Sequence, residues 1–205
     1  MGFAQRNKLH EEFETEVSQH LENGGWKTHS LVYHSNVDPQ LAELLAEAQQ
    51  VSPTAIYVTS RSDRIAIHPK HHRVFQFELK THLPDSPPNM AIEALPLAFH
   101  SQVSRMGVRV MYICRNYKTG REYGFWCNAI PAIDRIMIPL RRWNATMIAY
   151  YRGVFELAFP GVKIVAWDAF GNGSGDPFAL ISPASLRAGT FDWKDEIRRL
   201  AENNP

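Results

Sequence analysis

Leu9, Phe13, Val17 and Leu21 recur every four residues, with charged and polar positions between them. That stripe predicts an amphipathic helix over residues 5–23, stopped by Asn23-Gly24-Gly25. Residues 26–34 read as a strand. A second helix is expected over 39–50, with Asp38 as its cap and Pro39 in its first turn; Ser52-Pro53 ends it. The pattern then changes period. Residues 55–68 and 73–81 are rich in β-branched and aromatic side chains and flank the short polar link Pro69–His72, which predicts a hairpin. A proline-rich loop (82–89) leads to a helix expected over 90–106, bent at Pro96. A second hairpin is expected from 108–115 and 122–129 around Lys118-Thr119-Gly120. Residues 141–159 read as a helix, 162–168 as a strand, 171–189 as a Gly/Ser/Pro-rich stretch and 192–202 as a short charged helix. This order predicts an α/β (α+β) fold with a central mixed β-sheet flanked by helices.

Composition fits one globular domain: 205 residues, 44% apolar and 21% charged. The formal net charge of +1 neither marks nor excludes a nucleic-acid partner, because acidic metal ligands offset phosphate-binding cations in the sum. Two cysteines, Cys114 and Cys127, lie in apolar surroundings and read as reduced buried thiols. The polar N-terminus is unlike a signal peptide and no apolar run is long enough to cross a bilayer, so a cytoplasmic protein without a membrane partner is expected.

The chemistry concentrates in the first hairpin. Alternation along a strand puts Glu78 and Lys80 on one face and Phe75, Phe77 and Leu79 on the other. A turn centred on Lys70-His71 sets Asp63 directly opposite Glu78, where cross-strand Cβ atoms lie roughly 4.5–5.5 Å apart; a one-residue slip would send Asp63 to the other face. Two carboxylates that close repel each other unless a cation bridges them. Mg²⁺ suits such a pair, completing its shell with water and substrate phosphate. A divalent ion supplies a nucleophile at neutral pH and charge stabilisation, and an adjacent lysine can orient the water or neutralise developing charge.

Ser62-Asp63 followed by Glu78-Leu79-Lys80 resembles the PD-(D/E)XK nuclease superfamily, with serine in place of the usual proline. The resemblance covers roughly residues 8–110 and includes Glu14, Val17, Leu21, Gly25 and Trp26 of the first helix and its exit. It implies a restriction-endonuclease-like core over about 8–129 of a single 1–205 domain, with a C-terminal elaboration over about 130–205. It also implies a metal-dependent deoxyribonuclease, an Mg²⁺ endonuclease with Mn²⁺ as substitute, of repair, recombination, restriction or mobile-element type. Asp63, Glu78 and the Leu79 carbonyl would hold the metal, Lys80 would act on water, and Glu14 would reach the metal through water. Helix 39–50 is an insertion relative to the minimal core, and the Gln-x-x-x-Tyr element of some subfamilies is absent; Gln102 stands nearest to that role. A homodimer is expected, since cutting two strands needs two sites. The alternative is an inactive nuclease fold kept for nucleic-acid binding or assembly.

Further nucleic-acid contacts are expected from His82 after the motif strand, from Lys118 and Arg121 in the second hairpin, and from Arg141 and Arg142, which are interleaved with aromatics. Glu93 reads equally as a further acid or a solvated helix residue, and His100 as a core or interface residue.

Overall fold

The structure, a computed structural model, describes residues 2–30, 62–140, 145–167 and 176–202. The expected helix 39–50, the strand residues 31–34 and 55–61, and Arg141 and Arg142 lie outside these.

Helix α1 (Phe3–Asn23) buries Phe13, Val17 and Leu21 completely. Its exit is closed by the N–H groups of Gly24, Gly25 and Trp26, which return to the carbonyls of His20, Leu21 and Glu22. Gly25 takes φ +84, and a Cβ there would also sit 3.2 Å from the His68 ring, so glycine is required twice over. The chain then forms β1 (Lys27–Ser30), β2 (Arg64–His68) and β3 (Arg73–His82). After them come β4 (Met90–Glu93), α2 (Ala94–Arg105), β5 (Val110–Asn116) and β6 (Arg121–Trp126). β7 (Arg135–Pro139), α3 (Ala145–Ala158), β8 (Ile164–Trp167), β9 (Phe178–Ile181), α4 (Pro183–Gly189) and α5 (Trp193–Glu202) complete it.

Two sheets result. The first is ordered β1-β2-β3-β5-β6 and is mixed: β3 and β5 are parallel and the other pairs antiparallel. The second is ordered β4-β9-β7-β8. The β2–β3 hairpin has the register expected from its turn, with Arg64 opposite Phe77 and His68 opposite Arg73. The second hairpin also forms, turning at Gly120 with φ +67.

Two expectations change. Residues 90–93 are a strand rather than the start of a helix, because Met90 and Ile92 alternate with exposed Ala91 and Glu93 and pair with β9. The helix begins at Ala94, so Pro96 falls in its first turn, where a missing N–H breaks no internal bond. The Gly/Ser/Pro-rich stretch likewise holds a strand, β9, and the short helix α4, capped by the Ser182 hydroxyl, which accepts from the Ser185 N–H.

Each face of the first sheet carries its own core. Phe75, Phe77, Leu79, Met111 and Ile113 pack against α1 and against Trp193, Ile197 and Leu200 of α5. On the other face Val110, Tyr112, Cys114 and Phe125 meet α2, α3 and the second sheet. Residues beyond 130 thus complete both cores, and both cysteines are buried and free. The α5 side is closely fitted. Gly124 exchanges two backbone hydrogen bonds with Phe191, and an added Cβ would lie 2.9 Å from the Phe191 ring and 3.0 Å from Trp193 Cβ. Alanine normally improves a strand glycine; here Gly124→Ala is expected to lower stability by about 1–3 kcal/mol, read as a lower urea midpoint with an unchanged slope.

Candidate active site

β3 alternates as expected. Phe75, Phe77 and Leu79 enter the α1 and α5 core, while Glu78 and Lys80 face the α2 side beside Tyr112 and Cys114, their partners on β5. Asp63 lies one residue before β2, where side chains take over from the backbone ladder. Its N–H donates to Glu78 Oε2 at 3.0 Å, and its own Oδ2 accepts the Leu79 N–H at 2.8 Å. A strand residue's N–H and C=O point to the same side, so the Leu79 carbonyl faces the same gap. Sequence position alone therefore brings Asp63, Glu78, Leu79 and Lys80 to one point.

Lys80 Nζ stands 3.0 Å from Glu78 Oε1 and 2.8 Å from Glu93 Oε2. Glu93 immediately precedes α2, makes no side-chain cap there and is half-exposed, whereas the Glu78 side chain is only 6% exposed. Burial pushes the Glu78 carboxyl up to about 7; Lys80 opposes this, and the charge of Asp63 adds to it. Burial alone would lower Lys80, but Glu78 and Glu93 outweigh it and hold the ammonium above its ordinary value. Desolvation likewise works against the charge of Glu93, yet Lys80 draws it below its usual range. The site is thus a cation between two carboxylates, with a third carboxylate, Asp63, alongside. Of the two readings of Glu93, a further acid or a solvated residue, the first describes its contact with Lys80, and that approach depends on where β4 leaves the hairpin.

Among the described residues no three His, Cys, Asp or Glu side chains form a ready-made metal cage. The donor chemistry nonetheless fits a hard divalent cation. Two carboxylates and a backbone carbonyl are oxygen donors, and Mg²⁺ is usually held by one or two carboxylates with water and phosphate filling the rest. Burial is the main cause of the raised Glu78 carboxyl, so a cation held there would favour the ionised form that burial disfavours.

Glu14 does not join this group. Its Oε1 meets Arg64 Nε at 3.3 Å, and Arg64 lies opposite Phe77, on the α1 face of the sheet. Alternation carries Glu78 and Lys80 to the opposite face. His82 ends β3 and is buried, and burial lowers its imidazole, with the Lys118 charge acting the same way. Lys118 and Arg121 are exposed in the β5–β6 hairpin, next to that end of β3, and Gln102 is half-buried on α2.

No protein-family model matches this chain, and no curated protein matches it. Among solved structures it is similar to Hjc of Archaeoglobus fulgidus, a Holliday junction resolvase from an archaeal hyperthermophile. The TM-score is 0.44 at 10% sequence identity, over 91% of this chain and 98% of that one. No helix among the described residues is long and apolar enough to cross a membrane.

Proposed function

We propose that the chain is a divalent-metal-dependent endonuclease that hydrolyses DNA phosphodiester bonds. One observation carries the reading: Asp63 and Glu78 interlock across the β2–β3 hairpin, with Lys80 bonded to Glu78 on the same face. A solvated surface pair would not bury a glutamate at this cost. The ordered motif Asp63, Glu78-Leu79-Lys80 points the same way.

Asp63, Glu78 and the Leu79 carbonyl would hold Mg²⁺ or Mn²⁺. When bound, the ion supplies positive charge at the scissile phosphate and favours ionisation of water at neutral pH. The chain's own residues do the rest. Lys80, kept as an ammonium by two carboxylates, donates hydrogen bonds to the attacking water or to the phosphate oxygens as charge builds on them. Glu93 fixes the direction of that ammonium. Lys118 and Arg121 offer screened, sequence-independent contacts to the backbone of the DNA.

Plasmid, linear, single-stranded and branched DNA are to be incubated with Mg²⁺ or Mn²⁺ and, separately, with chelator. Metal-dependent cutting that Glu78→Ala abolishes is the expected result. A folded protein that cuts none of the four would instead be a nuclease-like fold serving nucleic-acid binding or assembly.

A further inference from the structure

Ser62, immediately before Asp63, is fully sealed from solvent. Its hydroxyl donates to Gln76 Oε1 at 3.0 Å and lies 3.3 Å from His100 Nε2. The other ring nitrogen, Nδ1, is 2.9 Å from the Tyr112 hydroxyl. Ser62, His100 and Tyr112 are 1%, 0% and 0% exposed. A serine beside a histidine elsewhere signals a nucleophile and its base. No substrate reaches this pair, and the histidine is backed by a phenol rather than a carboxylate.

The directions of the bonds are fixed by counting donors. The Ser62 proton is committed to Gln76, so Ser62 can only accept from His100 Nε2–H, and Nδ1 must accept from Tyr112. Burial lowers the His100 imidazole to about 3, with the Lys80 charge adding to the effect, so the ring is neutral and has one donor and one acceptor, as this chain requires. Every member is satisfied, which is the condition under which a buried polar network fixes geometry instead of weakening a core.

We propose that this network positions the catalytic carboxylate of Asp63, with His100 as the positioning residue; the proposal rests on the nuclease reading of the site. Gln76 lies on the same face of β3 as Glu78 and Lys80, so Ser62 is tied to the strand that carries the acid and the lysine. His100 ties it also to α2. That helix is entered directly from Glu93, which holds Lys80, and His100 follows seven residues later, about two turns along the same side. One helix is therefore linked to both halves of the site, to Lys80 through the residue that leads into it and to Asp63 through its middle. Serine at position 62 supplies no backbone restraint of its own before Asp63, and its side-chain tether supplies one instead.

The test pairs amide exchange with cleavage, using the full chain with Ser62→Ala and Tyr112→Phe, each of which deletes one oxygen, and with His100→Gln. The amides of Asp63 and Leu79, which bond to Glu78 and Asp63, are expected to exchange about tenfold faster in each variant, while that of Ile113 on β5 keeps its rate. Cleavage kcat is expected to fall about tenfold with KM for DNA unchanged, and Ser62→Ala combined with Tyr112→Phe to add little to either alone. Unchanged exchange at Asp63 and Leu79 would overturn the tether whether or not the protein cuts DNA. Faster exchange with unaltered kcat would overturn its positioning role. If the unaltered protein cuts nothing, the nuclease reading fails separately, and the exchange rates still decide the tether.

Discussion

Lys80→Met is expected to cut the rate of DNA cleavage by about 10³-fold at saturating Mg²⁺, in the range of lost electrostatic stabilisers, and to leave the fold weakened by about 3 kcal/mol in chelator. Methionine keeps the length and apolar contacts of the lysine stem, so packing is not the cause of either effect. The first follows from losing the only cation among the described residues that contacts Glu78 directly. The second follows because Glu78 and Glu93 then face each other across the vacated ammonium position, with Asp63 nearby. Removing one partner of a buried pair strands the other's charge, which is why the expected loss is larger than the worth of an exposed salt bridge. The two effects also separate. Adding Mg²⁺ should restore much of the stability, because the freed carboxylates bind the ion, yet restore no cleavage, because the ion is not the missing donor. Single-turnover rates and urea unfolding with and without Mg²⁺ measure both. Cleavage within tenfold of the unaltered protein would reduce Lys80 to a structural counter-ion. Glu78→Gln provides the contrast: it keeps shape and removes charge, and is expected to lose cleavage through weaker metal binding, seen as a higher Mg²⁺ requirement.

The part of this site that local rules govern was legible in the sequence. Turn length fixes hairpin register, and period-two alternation fixes faces, so Asp63, Glu78 and Lys80 could be brought together on paper, and the structure has the register that this required. The amphipathic stripe of α1 was equally plain, because its partners all lie on one face. What remained hidden depends on contacts distant along the chain. β4 is four residues long and looks like the first turn of the helix that follows; only its pairing with β9, almost 90 positions later, identifies it. Glu93 reaches Lys80 because that strand departs into a second sheet. His100 read as a core or interface residue and is buried on α2, but its partner Ser62, 38 residues away, had no local signal. Glu14 shows the opposite failing. Only the family resemblance implied its place at the site, and Arg64 draws it to the face of Phe77.

His100 should also be visible as an acid-sensitive component of stability. Burial lowers its folded-state pKa to about 3, against the ordinary 6.5 of a free imidazole, so between those limits the unfolded chain binds the extra proton. Stability from this residue is therefore complete above 6.5 and is lost as pH falls toward 3. At about 1.4 kcal/mol per unit the whole window is worth roughly 5 kcal/mol, and the part between pH 6.5 and 4.5 roughly 2 kcal/mol. Glu78 opposes it. Its pKa is raised by burial from 4.5 to about 7, so the folded state binds the extra proton in that window and gains stability as pH falls. The unaltered protein should accordingly show a flat profile from pH 6.5 to 4.5, although two strongly perturbed groups lie close together. His20 and His82, lowered chiefly by burial, tilt the profile slightly toward acid loss. Glu16, Glu122 and Glu196, lowered by their arginine and lysine partners, act only below 4.5. Subtraction isolates the histidine. Urea unfolding in chelator at pH 6.5, 5.5 and 4.5 should show that the stability of the unaltered protein relative to His100→Gln falls by about 2 kcal/mol across the series. Parallel profiles would mean that His100 takes its proton in place. That requires Nδ1 to stop accepting from Tyr112, and a network that reverses so cheaply could not hold Asp63 in one position.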